Sequence, residues 1–280
     1  MPITVMPVRE GFVAEIIGAD STRPLDAADA TAIKQALLDY KVIVISDLAE
    51  NFSWLLALCR RFGPLVPHLL DQYHHPETPE CSIIRANTGD VKSRRTERPA
   101  GAYWHSDLSY DANPSDATFL YSVQIPSKGG DTLFADMVRA YEALPAATKR
   151  RIDGRVALHR YGWNGGTAVT TLNAAQQAAH PDVRHPVVRV HPETGRKALY
   201  VDPGSTVAIL DMEPAESEAL LRELYAHALQ PQFQYRHKWR KGQLVGVDNR
   251  ACLHCASADY DEPRTLFRFI VGCTERMKAA

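Results

Sequence analysis

Long apolar runs are missing from this chain. No stretch approaches 18 consecutive apolar residues, so nothing in it reads as a membrane span. Cysteine is scarce: Cys59, Cys81, Cys252, Cys255 and Cys273 are odd in number and scattered, which argues against a disulfide framework and suits reduced thiols in the cytoplasm. Neither sign of charge is in excess. The 32 Lys and Arg against 33 Asp and Glu leave a formal net charge of -1, which speaks against bulk affinity for nucleic acid. The N-terminal MPITVMPVRE has no charged segment followed by an apolar run, so no signal peptide is expected and the expected location is cytoplasmic. Internal repeats, low-complexity tracts and interdomain linkers are also absent. With 45% apolar residues, the 280-residue chain suits a single domain spanning residues 1–280.

What is present is mostly strand-like. Lys41–Ser46 is a β-branched run, and Ala117–Gln124, Thr132–Ala135, Phe233–Trp239, Gln243–Val247 and Arg264–Val271 read as further strands. His185–His191 and Lys197–Val201 flank a Gly-containing turn and predict a hairpin. Helical spacing appears from Asp26, a candidate N-cap, to Tyr40, from Phe52 to Phe62, from Tyr141 to Ile152 and from Glu213 to Gln230. Many short strands with helical insertions suggest a mainly β protein with a jelly-roll core. Residues 68–100 and 161–183 lose periodicity and read as lid segments or surface loops.

Chemistry gathers at Tyr103-Trp104-His105-Ser106-Asp107. In an extended segment, residues two apart share a face, so His105 and Asp107 can present ligands to one ion. His254, in Asp248-Asn249-Arg250-Ala251-Cys252-Leu253-His254, is the candidate third ligand. Two His and one carboxylate on one face of a metal leave positions open, the arrangement of non-haem Fe(II) oxygenases. A His-x-Asp pair by itself is equally consistent with a hydrogen-bonded packing histidine. Cys252-Leu253-His254-Cys255 lacks the second Cys pair that a structural zinc site needs. The remaining histidines, at 74, 75, 159, 180, 185, 191, 227 and 237, show no clustered partner and are read as surface or packing residues.

Alternation along Arg264–Ile270 puts Arg264, Leu266, Arg268 and Ile270 on one face. The two arginine Cα atoms would be roughly 13 Å apart at about 3.3 Å per residue, room for two anionic groups. If that face is buried, both guanidinium groups need anions, and Arg suits bidentate carboxylate capture. The alternative is a surface edge with solvated ion pairs.

Trp104-His105-Ser106-Asp107, Gly129-Gly130-Asp131-Thr132-Leu133-Phe134, His191-Pro192-Glu193-Thr194-Gly195-Arg196-Lys197 and Asp248-Asn249-Arg250 with His254, Arg264 and Arg268 occur in that order. Together, over residues 5–272, they resemble the taurine/2,4-D dioxygenase (TauD/TfdA-like) family of Fe(II)- and 2-oxoglutarate-dependent oxygenases. The resemblance implies a double-stranded β-helix with iron on His105, Asp107 and His254. It also implies 2-oxoglutarate held at its distal carboxylate by Thr132 and Arg264, and an anionic substrate at Arg268. His68 aligns with a histidine that touches substrate in the taurine enzymes. Gly101 and Val247 stand where those enzymes carry Asn and Trp, so the pocket lining differs and taurine is disfavoured as the substrate.

The implied reaction consumes O2 and 2-oxoglutarate, releases succinate and CO2, and hydroxylates a small organic anion such as a carboxylate, sulfonate, sulfate ester or aryloxy acid. Cleavage follows where the hydroxylated carbon bears oxygen, nitrogen or sulfur. Asp107 occupies the position left vacant in halogenating relatives, which implies oxygenation. Two other readings use the same residues: a metal-dependent hydrolase or isomerase, and a non-catalytic β-barrel that binds small molecules. The reading allows a homo-oligomer.

Overall fold

Arg264–Val271 is the strand that orders the fold. In the computed structural model, which describes residues 3–87, 101–163, 178, 180–275 and 278–279, it lies in a nine-stranded sheet. Along the path that sheet runs β1 (Thr4–Arg9), β2 (Val13–Ile17), β3 (Val42–Ile45), β15 (Leu244–Asp248), β7 (Ala117–Gln124), β17 (Arg264–Val271), β6 (Thr78–Ala86) and β5 (His74–His75), with β4 (Leu65–Val66) also on β17. Only β2 and β3 pair in parallel. A second sheet has the order β14 (Gln234–His237), β8 (Thr132–Asp136) and β16 (Cys252–Ala256). Two smaller sheets complete the β content of the described residues: β9 (Val156–His159) between β10 (Val183–Pro186) and β13 (Thr206–Ile209), and β11 (Val188–Val190) between β12 (Lys197–Leu199) and β18 (Lys278–Ala279).

Side-chain alternation sorts these strands into layers. Val42, Val44, Leu120, Val245, Val247 and Leu266 of the large sheet pack with Phe134 and Cys252 of the three-stranded sheet, so the two sheets face one another. The opposite face of the large sheet, with Ile43, Phe119, Phe267 and Phe269, is covered by α1 (Ala27–Tyr40) and α2 (Phe52–Arg60). The outer face of the small sheet, with Ala135 and Leu253, packs on α3 (Met137–Glu142) and α5 (Pro214–Ala228). Truncating Phe134 or Phe269, both fully buried, to Ala would cost about 3–5 kcal/mol. Among the described residues no helix is long and apolar enough to cross a membrane.

Local signals place the helices. Asp26 caps α1 by accepting from the backbone N–H groups of Ala28 and Asp29. The apolar stripe of α5, Leu220, Leu221, Leu224 and Ala228, is buried. The expected single helix from Tyr141 to Ile152 is instead two. The first is α3, and α4 (Ala146–Ile152) begins after Pro145, which cannot continue an α-helical hydrogen-bond ladder. Only the second half of the expected His185–His191 strand enters the hairpin, as β11, because His185 and Pro186 pair with β9.

The larger correction concerns residues 68–100. Thr78–Ala86 is not a loop: it forms β6 and pairs with β17 from Arg264↔Ala86 to Phe269↔Cys81. Cys81, Ser82 and Ile83 are buried in succession because both faces of the strand are covered, and that removes the alternation by which strands are read. Residues 88–100, 164–177 and 179 of the two expected lid segments lie outside the described residues.

Candidate active site

His105, Asp107 and His254 offer one ligand atom each, and these atoms lie within 4.8 Å of one another. The main chain brings the histidines together. His105 N–H donates to the His254 carbonyl at 3.0 Å, and His254 N–H donates to the His105 carbonyl at 2.8 Å. His105 Nδ1 lies 2.8 Å from the Tyr103 carbonyl, which leaves Nε2 towards Asp107. The Asp107 carboxylate oxygens are 3.7 Å from His105 Nε2 and 3.8 Å from His254 Nε2, too long for hydrogen bonds. His254 Nδ1 is buried without a hydrogen-bond partner among the described residues. Burial, then the neighbouring His105, pushes the His254 pKa down to about 3, so the ring is a neutral donor. Two imidazoles and one carboxylate, convergent yet not bonded to one another, fit a divalent metal.

Asp107 is the anionic member. Burial raises its pKa, but Arg268, His254, His105 and a hydrogen bond from Thr118 outweigh that and hold the carboxyl below the usual range. Thr118 Oγ1 donates to Asp107 Oδ2 at 2.5 Å. Asn249 Nδ2 in turn donates to Thr118 Oγ1 and Ser115 Oγ, each at 2.8 Å, and Ser115 Oγ donates to the Asp107 carbonyl at 2.7 Å. Asn249 is held by the turn between β15 and β16. There Asp248 accepts from Arg250 Nε and Nη2 and contacts His191 Nε2 at 2.9 Å. Metal ligands are commonly oriented by hydrogen-bonded partners of this kind.

Arg264, Leu266 and Arg268 project from β17 into the space between the sheets, since Leu266 belongs to the inter-sheet cluster. Arg268 Nη1 is 3.7 Å from Asp107 Oδ1. Arg264 is 5% exposed, stands over the Tyr260 ring at 5.8 Å, and has no carboxylate within ion-pair distance among the described residues. Nearby Asp131 is committed to Arg236 at 2.6 Å. A buried guanidinium without an anion is costly by several kcal/mol, so this one is built to receive a negative group. Gly130 (φ 69°) makes room: a Cβ there would come within 3.3 Å of Arg264 Cδ and 2.8 Å of Pro126 Cγ. Thr132, 2% exposed, turns its side chain to the same inner space as Phe134.

Residues 4–271 match the family model "Taurine catabolism dioxygenase TauD, TfdA family". The chain belongs to the TauD/TfdA family. It is 32% identical over 267 residues to the alpha-ketoglutarate-dependent 2,4-dichlorophenoxyacetate dioxygenase of Cupriavidus pinatubonensis, covering 91% of this chain and 92% of that protein. It is 31% identical over 272 residues to the pentalenolactone F synthase of Streptomyces arenae, covering 92% and 91%. Among solved structures, AAD-2 in complex with Mn(II) and N-oxalylglycine superposes with a TM-score of 0.85 at 29% identity, covering 98% of each chain. This TauD/TfdA-family protein is a 2-oxoglutarate-dependent dioxygenase that uses a metal.

The structure brings His105, Asp107, His254 and Arg268 into direct proximity. His68 lies close enough for Arg268 to bear on its titration: burial, then the Arg268 charge, pushes its pKa down to about 4. Its Nδ1 accepts from Leu70 N–H at 2.9 Å. Other features of this TauD/TfdA-family protein's site were not read from the sequence. Thr118 was legible only as one of the polar residues, with Ser122, on the Leu120 face of a buried strand. Tyr260, beneath Arg264, and Trp239, whose Nε1 donates to Thr132 Oγ1 at 3.0 Å, gave no local signal. Several histidines expected to be unclustered are paired. His191 meets Asp248, and His159 and His185 contact each other and Tyr200 by their rings. Such pairings join distant segments, so sequence spacing does not reveal them.

Proposed function

We propose that this TauD/TfdA-family enzyme uses Fe(II) on His105, Asp107 and His254, grips the distal carboxylate of 2-oxoglutarate with Arg264 and Thr132, and hydroxylates a small organic anion held by Arg268 beside His68. The two facing sheets are read as a double-stranded β-helix, and residues 1–280 as one domain. One observation carries the reading: Arg264 is a buried cation with no anion of its own among the described residues, on the strand face that also carries Arg268 to Asp107. N-oxalylglycine, found in the AAD-2 complex, is an amide analogue of 2-oxoglutarate, which supports the same assignment.

When bound, Fe(II) supplies the redox chemistry that couples O2 and decarboxylation of 2-oxoglutarate to oxidation of a substrate C–H bond. One O2 and one 2-oxoglutarate convert R–H to R–OH, with succinate and CO2 released. The chain's own residues position and exclude. His105 and His254 would donate through their imidazoles, and Asp107 would supply the negative charge. Its presence as a ligand leaves no place for halide, so the product is oxygenated. Inter-sheet side chains such as Phe134 and Leu266 keep water away. The family's 2,4-dichlorophenoxyacetate enzyme acts on an aryloxy acid, and an anion of this class, or a carboxylate, sulfonate or sulfate ester, suits Arg268. Among the described residues the five cysteines form no disulfide, which suits a reducing cytoplasm.

The test is succinate formation and O2 uptake by the Fe(II)-loaded protein with 2-oxoglutarate, screened across carboxylates, sulfonates, sulfate esters and aryloxy acids. At least one anionic class should stimulate turnover, and neutral isosteres of it should not. A metal-loaded protein that makes no succinate with or without any of them overturns the proposal.

A further inference from the structure

We propose that Trp239 is a positioning residue for the co-substrate: its indole N–H fixes the polarity of the Thr132 hydroxyl, so that the hydroxyl proton is directed at the distal carboxylate of 2-oxoglutarate. This rests on the reading that Arg264 and Thr132 form that carboxylate site.

The geometry is specific. Trp239 Nε1 donates to Thr132 Oγ1 at 3.0 Å, with both residues buried, at 7% and 2% exposure. A threonine hydroxyl has one proton to donate and can also accept, so alone it can present either character to a ligand. Indole Nε1–H is a donor only. With that donor against it, Thr132 must accept on the Trp239 side. Among the described residues its hydroxyl has no acceptor for its own proton. A carboxylate only accepts, so the uncommitted proton is the one it requires. The order Trp239 N–H, Thr132 O–H, carboxylate runs in one direction, and each bond polarises the next.

The tryptophan is held in place for this. It follows β14, whose His237 stands opposite Thr132 in register on β8. The His237 ring packs edge-on at 4.7 Å and 90°. His237 is in turn fixed by Gln243 Oε1 at 3.2 Å. The rest of the indole packs in the inter-sheet cluster with Leu266, the residue between Arg264 and Arg268 on that face of β17.

The experiment compares 2-oxoglutarate with 2-oxopentanoate, which has a methyl group where 2-oxoglutarate has its distal carboxylate. Binding of each to the Mn(II)-loaded protein is measured by calorimetry, apart from turnover, for wild type, Trp239→Phe, Thr132→Val, the double variant and Arg264→Ala. Trp239→Phe keeps the ring and removes the N–H. It should weaken 2-oxoglutarate binding about five- to tenfold, the effect of losing one neutral hydrogen bond. Its affinity for 2-oxopentanoate should be unchanged, which also shows that the site is intact. In the Thr132→Val background the same change should add nothing. Equal weakening of both acids by Trp239→Phe, a full additional loss in the double variant, or no loss of 2-oxoglutarate affinity would each overturn the positioning role. Arg264→Ala separates the two levels. If it leaves 2-oxoglutarate binding unchanged, the carboxylate site itself is misassigned. If it weakens binding while Trp239→Phe does not, only the role of Trp239 is wrong.

Discussion

His105 and His254 exchange both of their backbone hydrogen bonds, at 3.0 and 2.8 Å, as an isolated antiparallel bridge outside the sheets' continuous ladders. That bridge fixes the spacing of the two imidazoles before any metal arrives. Asp107, two residues on, is then aimed by Thr118 rather than by its own strand.

Replacing His254 by Ala removes one of three donors from a buried site. Tight Fe(II) binding and 2-oxoglutarate-dependent turnover should be lost together while the fold is retained. Metal titration alongside succinate assays checks this, and a His254→Ala protein with wild-type affinity and rate would mean that the ligand set is wrong.

Thr118→Val preserves shape and deletes the hydrogen bond to Asp107 Oδ2. Loss of such an outer partner typically weakens metal affinity by roughly ten- to a hundredfold. Competition against a chelator measures it. Unchanged affinity would assign Thr118 to packing alone.

Arg268→Met keeps much of the aliphatic stem and removes the charge. Losing a charge-assisted hydrogen bond of about 1.5–3 kcal/mol should raise the KM of the anionic substrate roughly ten- to a hundredfold. The KM for 2-oxoglutarate should move far less, because Arg264 is uninvolved. Equal rises in both constants would argue against separate anion sites.

Buried neutral histidines predict acid sensitivity. Burial first, then the neighbouring His185 and Arg189, pushes His159 down to about 3. Burial pushes His237 down to about 4 despite Gln243. Both ordinarily titrate near 6.5, so below that pH the unfolded chain binds protons that the folded one does not. Stability from these groups is therefore complete above pH 6.5 and is lost as pH falls towards 4, each contributing a slope of about 1.4 kcal/mol per pH unit. Urea melts between pH 7 and 4.5 should show falling midpoints, and His159→Gln should flatten the slope. A flat profile across that window would contradict the burial of these rings.

The sequence by itself determined whatever depends on neighbours a few residues apart. The strands Ala117–Gln124 and Arg264–Val271 have the boundaries that their runs of β-branched and aromatic residues predict, and Asp26 caps α1 as its position indicates. The candidate ligand types, His-x-Asp with a late His, were legible as a motif although Asp107 lies in a turn, and the shared face of Arg264 and Arg268 was legible because a strand repeats every two residues. Tertiary structure alone decided the rest. Strand β6 was hidden because, with both faces covered, it shows no alternation. The Thr118–Asp107 and Trp239–Thr132 hydrogen bonds depend on how β7, β8 and the segment after β14 come together. Bonds of this kind are fixed by sheet register and layer packing, which are properties of the assembled fold rather than of any local stretch of chain.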